Sequence, residues 1–201
     1  MMGEQRSLKL NSPLRPDVFY FALRPDAVAA QAMMDVAKWC RDHYGLTGRP
    51  CPADRLHVSL SPAASRRGFR KGDVAAALRA AARVSAKPFP AAFDRICTFG
   101  GRDRLPIVLC CDDGNAALAA LRHTLRSELL KVGLWRGPAQ FQPHVTLLWD
   151  KRSVPDTYLN EPICWTVADF VLVRSIIGCG RHVDVGRWSL RGWTKTERLR
   201  S

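Results

Sequence analysis

Two five-residue stretches hold the chemistry this chain offers: Leu56-His57-Val58-Ser59-Leu60 and Pro143-His144-Val145-Thr146-Leu147. In each, a histidine is followed by an apolar residue, a hydroxyl and a second apolar residue. Side chains alternate across a β-strand, so each stretch sets an imidazole and a hydroxyl on one face and turns its aliphatic residues toward a core. If the two strands lie side by side, or face each other across a cleft, two imidazoles and two hydroxyls converge. A neutral histidine then takes a proton from a nucleophile while a protonated one gives a proton to a leaving oxygen. An unperturbed pKa of about 6.5 makes both forms available near neutral pH. Ser59 and Thr146 are placed to donate hydrogen bonds to the non-bridging oxygens of a phosphate. Nothing in this scheme requires a metal or a cofactor.

The elements that must position these residues follow from patterning. Val18–Leu23 reads as a strand by its aromatic and branched content. Arg24-Pro25-Asp26 turns the chain, and Asp26 is placed to cap an amphipathic helix over 27–43. Residues 55–61 form the first motif strand. A basic loop over 63–72, carrying Arg66 and Arg67, leads to an alanine-rich helix from Val74 to about Val84, capped at Asp73. Strands are expected over 89–99 and 105–111, joined by a turn at Gly100-Gly101. A helix over 116–131 puts Leu118, Leu121, Leu125 and Leu129 on one stripe and Arg122 off it. Residues 141–150 form the second motif strand, 151–162 a polar loop, and 164–177 and 182–191 further strand. Hairpins without regular strand–helix–strand alternation favour an antiparallel α+β architecture. The recurrence of the motif after a helix suggests two related halves. The expected organisation is a loose segment 1–15, one domain over 16–191, and a basic tail 192–201.

Composition narrows the class. The chain has 201 residues, 47% hydrophobic and 24% charged, which is enough for one substantial core or two small lobes sharing one, and excludes a disordered protein. The formal charge of +13 favours polyanionic partners such as RNA, DNA or phosphorylated small molecules, although it also serves solubility. The seven cysteines contain no CxxC pair, and several sit in apolar runs such as Val108-Leu109-Cys110-Cys111. With no signal peptide and no bilayer-length apolar stretch, the expectation is a reduced, cytoplasmic, monomeric protein without a membrane partner. Cys179 and His182 supply two potential metal ligands where a structural zinc site wants four, so no metal site is expected.

His57-Val58-Ser59-Leu60 and His144-Val145-Thr146-Leu147 resemble the two HxTx/HxSx signatures of the 2H phosphoesterase superfamily. Within it, Phe141-Gln142-Pro143-His144-Val145-Thr146-Leu147-Leu148 is most similar to the RNA 2',3'-cyclic phosphodiesterases, historically called 2'-5' RNA ligases. The resemblance covers about residues 18–191, with only the two tetrapeptides specific. It implies a bilobal α+β fold of two antiparallel sheets with outer helices and pseudo-twofold symmetry around a central cleft. It also implies metal-independent opening of RNA or nucleotide 2',3'-cyclic phosphate ends to 2'-phosphates, with 2'-5' ligation as the reverse reaction. His57 and His144 would be the acid–base pair, and Ser59 and Thr146 the phosphate ligands.

The chain departs from the family pattern at several positions. Trp149 stands where an arginine is common after the second motif, and Gln142 where an arginine or lysine often precedes it. The first motif has a serine where threonine is commoner and continues as Ser61-Pro62-Ala63. Arg66, Arg67, Lys151 and Arg152 are candidates to supply the missing charge. Phe93, Phe99 and Trp149 are candidate base-stacking rings, although simple parity turns Trp149 to the face of Val145 and Leu147 unless a bulge intervenes. The rival readings are a phosphodiesterase for 2'-5'-linked oligonucleotides or another small cyclic phosphate, and an RNA-binding module with vestigial motifs.

Overall fold

A computed structural model of the chain describes residues 17–63, 71–111, 115–134, 140–176 and 180–191. Arg66, Arg67, Cys179, the segment 1–15 and the tail 192–201 lie outside the described residues.

Eight strands form one antiparallel ladder in the order β6-β3-β4-β5-β2-β1-β7-β8. They are β1 (Val18–Leu23), β2 (Val58–Pro62), β3 (Phe89–Thr98), β4 (Leu105–Cys110), β5 (His144–Asp150), β6 (Thr157–Val167), β7 (Asp169–Ile176) and β8 (Arg181–Ser189). The helices are α1 (Ala27–His43), α2 (Lys71–Ala81) and α3 (Ala116–Lys131). The two expected sheets are present as four-stranded halves. They meet at the two motif strands, where β2 and β5 pair through the single couple Val58–Val145. The unit β1-α1-β2 on one side of that couple corresponds to β4-α3-β5 on the other, which is the pseudo-twofold relation.

All three helices pack into one large core against one face of the ladder. Phe21, Phe93 and Phe170 are among its fully buried side chains. Among the described residues the opposite face carries no helix. It bears two small apolar clusters, one in each half: Ala22, Val171 and Val173 with Tyr20, and Cys97, Val108 and Cys110 with Phe99. The motif strands run between them.

Local chemistry accounts for most boundaries. Asp26 caps α1 as expected, its carboxylate accepting from Ala29 N at 2.8 Å. The second helix begins earlier than the sequence suggests, so Asp73 lies in its first turn, where its charge suits the helix dipole, rather than at the cap. The first motif strand begins later: Ala53–Arg55 form a 3-10 turn, and His57 directly precedes β2. Thr157–Pro162, expected as loop, belongs to β6. This is an edge strand, whose polar outer residues and Pro162 need no ladder partner on the solvent side.

Both motif strands carry a bulge at the same position. Phe21 pairs with Ser61 and Ala22 with Ser59, which leaves Leu60 as the extra residue. Ile107 pairs with Leu148 and Val108 with Thr146, which leaves Leu147 extra. A bulge frees a backbone carbonyl that burial must satisfy. Cys51 N donates to Leu147 O at 2.7 Å. Arg122 Nε donates to Leu60 O at 3.0 Å, and its guanidinium sits 4.4 Å from the centroid of Phe141. Arg122 is therefore buried between α3 and β2, not on the outer side of the helix where the leucine stripe would leave it. R122M keeps the bulk but removes the donor, and is expected to lose about 2 kcal/mol of stability. Urea unfolding checks this, and an unchanged midpoint would assign the carbonyl another donor.

Candidate active site

Antiparallel pairing at Val58–Val145 brings Ser59 opposite His144 and His57 opposite Thr146. Both valines are fully buried in the core, so the four polar residues share the helix-free face. The structure thus brings together all four motif residues the sequence singles out.

Each imidazole is held in the same way. His57 Nδ1 bonds the carbonyl of Arg55 at 2.7 Å, and His144 Nδ1 bonds that of Gln142 at 2.9 Å. A carbonyl only accepts, so Nδ1 carries the hydrogen in both rings and Nε2 is left for chemistry. An aromatic ring lies against each: Tyr20 at 5.0 Å from His57 and Phe99 at 4.9 Å from His144, centroid to centroid. Neither the Ser59 nor the Thr146 hydroxyl has a hydrogen-bond partner among the described residues, so both are available to a ligand.

The two histidines differ in their surroundings. Burial pushes the His57 pKa down to about 4, with His182, Arg24 and His144 acting in the same direction against the hydrogen bond to Arg55's carbonyl. Burial also raises the Tyr20 hydroxyl to about 12, so it remains protonated.

Two residues that the sequence did not point to complete the first half of the site. Tyr20 lies on the helix-free face of β1, because Phe19, Phe21 and Leu23 occupy the other. That alternation, with one polar tip on an aromatic ring, was a readable signal. His182 arrives from β8, its ring 5.6 Å from His57 and its Nδ1 3.3 Å from the Tyr20 hydroxyl. Nothing local in the sequence marks it. Cys179, its companion as a potential metal ligand, lies outside the described residues, among which no three histidine, cysteine or acidic groups cluster.

The remaining candidates divide. Trp149 is on the site's face: the Leu147 bulge restores it to the side of Thr146, where it pairs with Pro106 and stays about half exposed. The parity expectation is overturned by the inserted residue. Phe93 is not available for stacking, because it is fully buried in the core and stacks on Trp165 at 5.3 Å. The alternation Phe89, Ala91, Phe93 along β3 carries it inward. Lys151 is exposed just past β5. The Arg152 guanidinium donates to Gly45 O at 3.2 Å, tying it to the loop after α1 rather than to the histidine pair.

The family model of the 2'-5' RNA ligase superfamily matches residues 25–176, which contain both motifs. The chain belongs to this superfamily. Solved structures similar to the chain include E. coli LigT complexed with 3'-AMP (24% identity, TM-score 0.72, 88% of this chain and 99% of that one). A protein of Thermus thermophilus, TT0787, is similar at 21% identity, with a TM-score of 0.72 and coverage of 88% and 100%. A structure described as a phosphoesterase matches at 22% identity, TM-score 0.72, with 88% and 99% covered. At these identities the likeness establishes the α+β fold that the motifs' resemblance implies. No curated protein matches the chain. Among the described residues no helix is long and apolar enough to cross a membrane.

Proposed function

We propose that this superfamily member is a metal-independent phosphodiesterase that opens the 2',3'-cyclic phosphate ends of RNA or nucleotides to 2'-phosphates. The observation that carries this reading is the pair of imidazoles on one face, each with Nδ1 anchored to a carbonyl and Nε2 free. Beside them, each opposite the other motif's histidine, are two hydroxyls without a hydrogen-bond partner among the described residues.

In this scheme His57, neutral because burial and adjacent cations oppose its protonation, takes a proton from water at Nε2. The water oxygen bonds to phosphorus, the bond from phosphorus to O3' breaks, and His144 delivers its Nε2 proton to O3'. Ser59 and Thr146 hold the non-bridging oxygens as charge develops on them. Run in the same direction with a 5'-hydroxyl in place of water, the steps join ends through a 2'-5' linkage, and their reversal cleaves that linkage back to a cyclic phosphate. The basic surface draws the anion in. Trp149, on the site's face, is placed to stack a base. Complexes of E. coli LigT with 3'-AMP and with phosphate agree with a nucleotide phosphate as ligand.

The test is hydrolysis of a short RNA bearing a 2',3'-cyclic phosphate, in chelator, with the product's phosphate located. A 2'-phosphate supports the reading, whereas a 3'-phosphate reverses the leaving group. Salt-dependent RNA binding without turnover on this or a 2'-5'-linked substrate would make the protein a binding module. The base must be neutral, so kcat/KM should hold as pH falls through 6.5 and decline only near 4. A limb at 6.5 would assign the base to a different group.

A further inference from the structure

The wall beside His57 holds more positive charge than the proposed hydrolysis uses. Arg55 and Arg24 both lie close enough to His182 to disfavour its protonation, and Asp54 and Asp184 are the acidic groups that oppose them. Asp184 is already engaged: Arg24 Nη2 lies 2.7 Å from one of its oxygens and Arg187 Nη2 3.1 Å from the other. Arg24's other terminal nitrogen donates to Asp54 O at 2.6 Å, so this arginine clamps the 3-10 turn to β8.

Arg55 has no such partner. Its Nε is buried without a hydrogen bond, and no carboxylate pairs with its guanidinium among the described residues. Its Nη1 packs against Gly180, where a Cβ would lie 3.4 Å away and a φ of +59° favours glycine. An unpartnered guanidinium next to an imidazole is an arrangement that a bound anion stabilises and an empty groove does not. The Tyr20 hydroxyl and His182 Nδ1 lie 3.3 Å apart, and in the tautomer in which the hydroxyl donates, His182 Nε2–H is left as a further donor.

On the opposite wall, Arg104 Nη2 donates to Trp149 O at 2.6 Å. Gln142 and Trp149 stand at the positions where the family pattern carries cations, and Phe99 covers His144. Arg55 stands on the His57 side of the groove, one ring away from the proposed base.

We propose that Arg55 and His182 form a second phosphate subsite, which takes the phosphate on the 5' side of the terminal nucleotide while the histidine pair works on its 2',3'-cyclic phosphate. This rests on the reaction proposed above and narrows its substrate class. The protein acts on ends that carry a neighbouring 5' phosphate, as every RNA chain end does, in preference to bare nucleoside cyclic phosphates. Arg24 is a positioning residue that holds the 3-10 turn and β8 together around the subsite.

Two unreactive product analogues test this by calorimetry at fixed low salt: adenosine 2'-monophosphate and adenosine 2',5'-bisphosphate. The intact protein is expected to bind the bisphosphate about 10-fold or more tighter, as a guanidinium–phosphate contact warrants. R55Q and H182Q should each shrink that ratio to about 2-fold, with R55K retaining part of it. Equal affinities in the intact protein, binding of neither analogue, or a ratio unchanged in both variants would overturn the subsite. Because binding is read without turnover, the outcomes separate. A 10-fold ratio with no hydrolysis of cyclic ends keeps the subsite and removes the reaction, while hydrolysis with equal affinities does the reverse.

Discussion

H57A and H144A are each expected to lower kcat on a 2',3'-cyclic phosphate end by about 100- to 10,000-fold, the range that one positioned acid or base contributes. KM should move far less, because in the proposed scheme Ser59 and Thr146 remain to hold the phosphate. Stability gives the control that separates chemistry from folding. In the folded protein His57 has its pKa near 4, whereas in the unfolded chain it protonates near 6.5. A group depressed in this way contributes no penalty above 6.5. Below that, the unfolded state binds a proton that the folded state refuses, so stability falls from about pH 6.5 to about 4. H57A should therefore unfold at about the same denaturant concentration as wild type at pH 8 and at a higher one at pH 5. A variant that is inactive yet better folded at pH 5 is the signature of a residue kept for function. Turnover retained in both single variants would remove the pair from catalysis.

The two motifs were legible because their signal is local: a histidine and a hydroxyl two apart on a strand need only the pleat to share a face. The α+β class was legible too, since Phe19, Phe21 and Leu23, or Leu118, Leu121, Leu125 and Leu129, declare strand and helix by their spacing alone. What failed was whatever depends on the partner strand. The bulges at Leu60 and Leu147 insert one residue into an otherwise regular alternation, and only the neighbouring strand's register reveals them. Trp149 changes face for that reason. Arg122 is misread for the same one, because its partner is the carbonyl that the Leu60 bulge releases. His182 shows a second limit. It reaches His57 because β8 pairs with β7, β7 with β1 and β1 with β2, a chain of contacts that no single stretch records.

Those bulges also explain the second large effect, at Asp150. Past the Val58–Val145 couple the two motif strands share no further pair, and the side of β5 facing β2 needs other partners. The loop after α1 supplies them: Cys51 N bonds Leu147 O, and Pro50 bridges to Leu148. Asp150 fastens that loop. The residue is 2% exposed, and its carboxylate accepts from the backbone of Thr47 at 2.7 Å, Gly48 at 2.7 Å and Arg152 at 3.0 Å. Gly48 is required there, because a Cβ would collide with the Trp149 carbonyl. Burial alone would raise the carboxyl's pKa, but the backbone donors of Arg152, Gly48, Thr47 and Lys151 outweigh it and hold it at about 2. D150N keeps the shape but turns one acceptor into a donor facing N–H groups, and is expected to cost about 3 kcal/mol. With a folded pKa depressed below its ordinary value of 3.8, the carboxylate's contribution is complete above that pH and is lost as pH falls toward 2. The stability gap between wild type and D150N should therefore be constant from pH 8 to 5 and narrow below 4. A gap that holds undiminished to pH 2 would mean that the cost is steric. Because the loop borders Leu147 and Trp149, a loosened loop should also loosen the face that carries Thr146. D150N should then lose the proposed cyclic phosphodiesterase activity before it unfolds, seen as a fall in kcat/KM at urea concentrations where its fluorescence is still native.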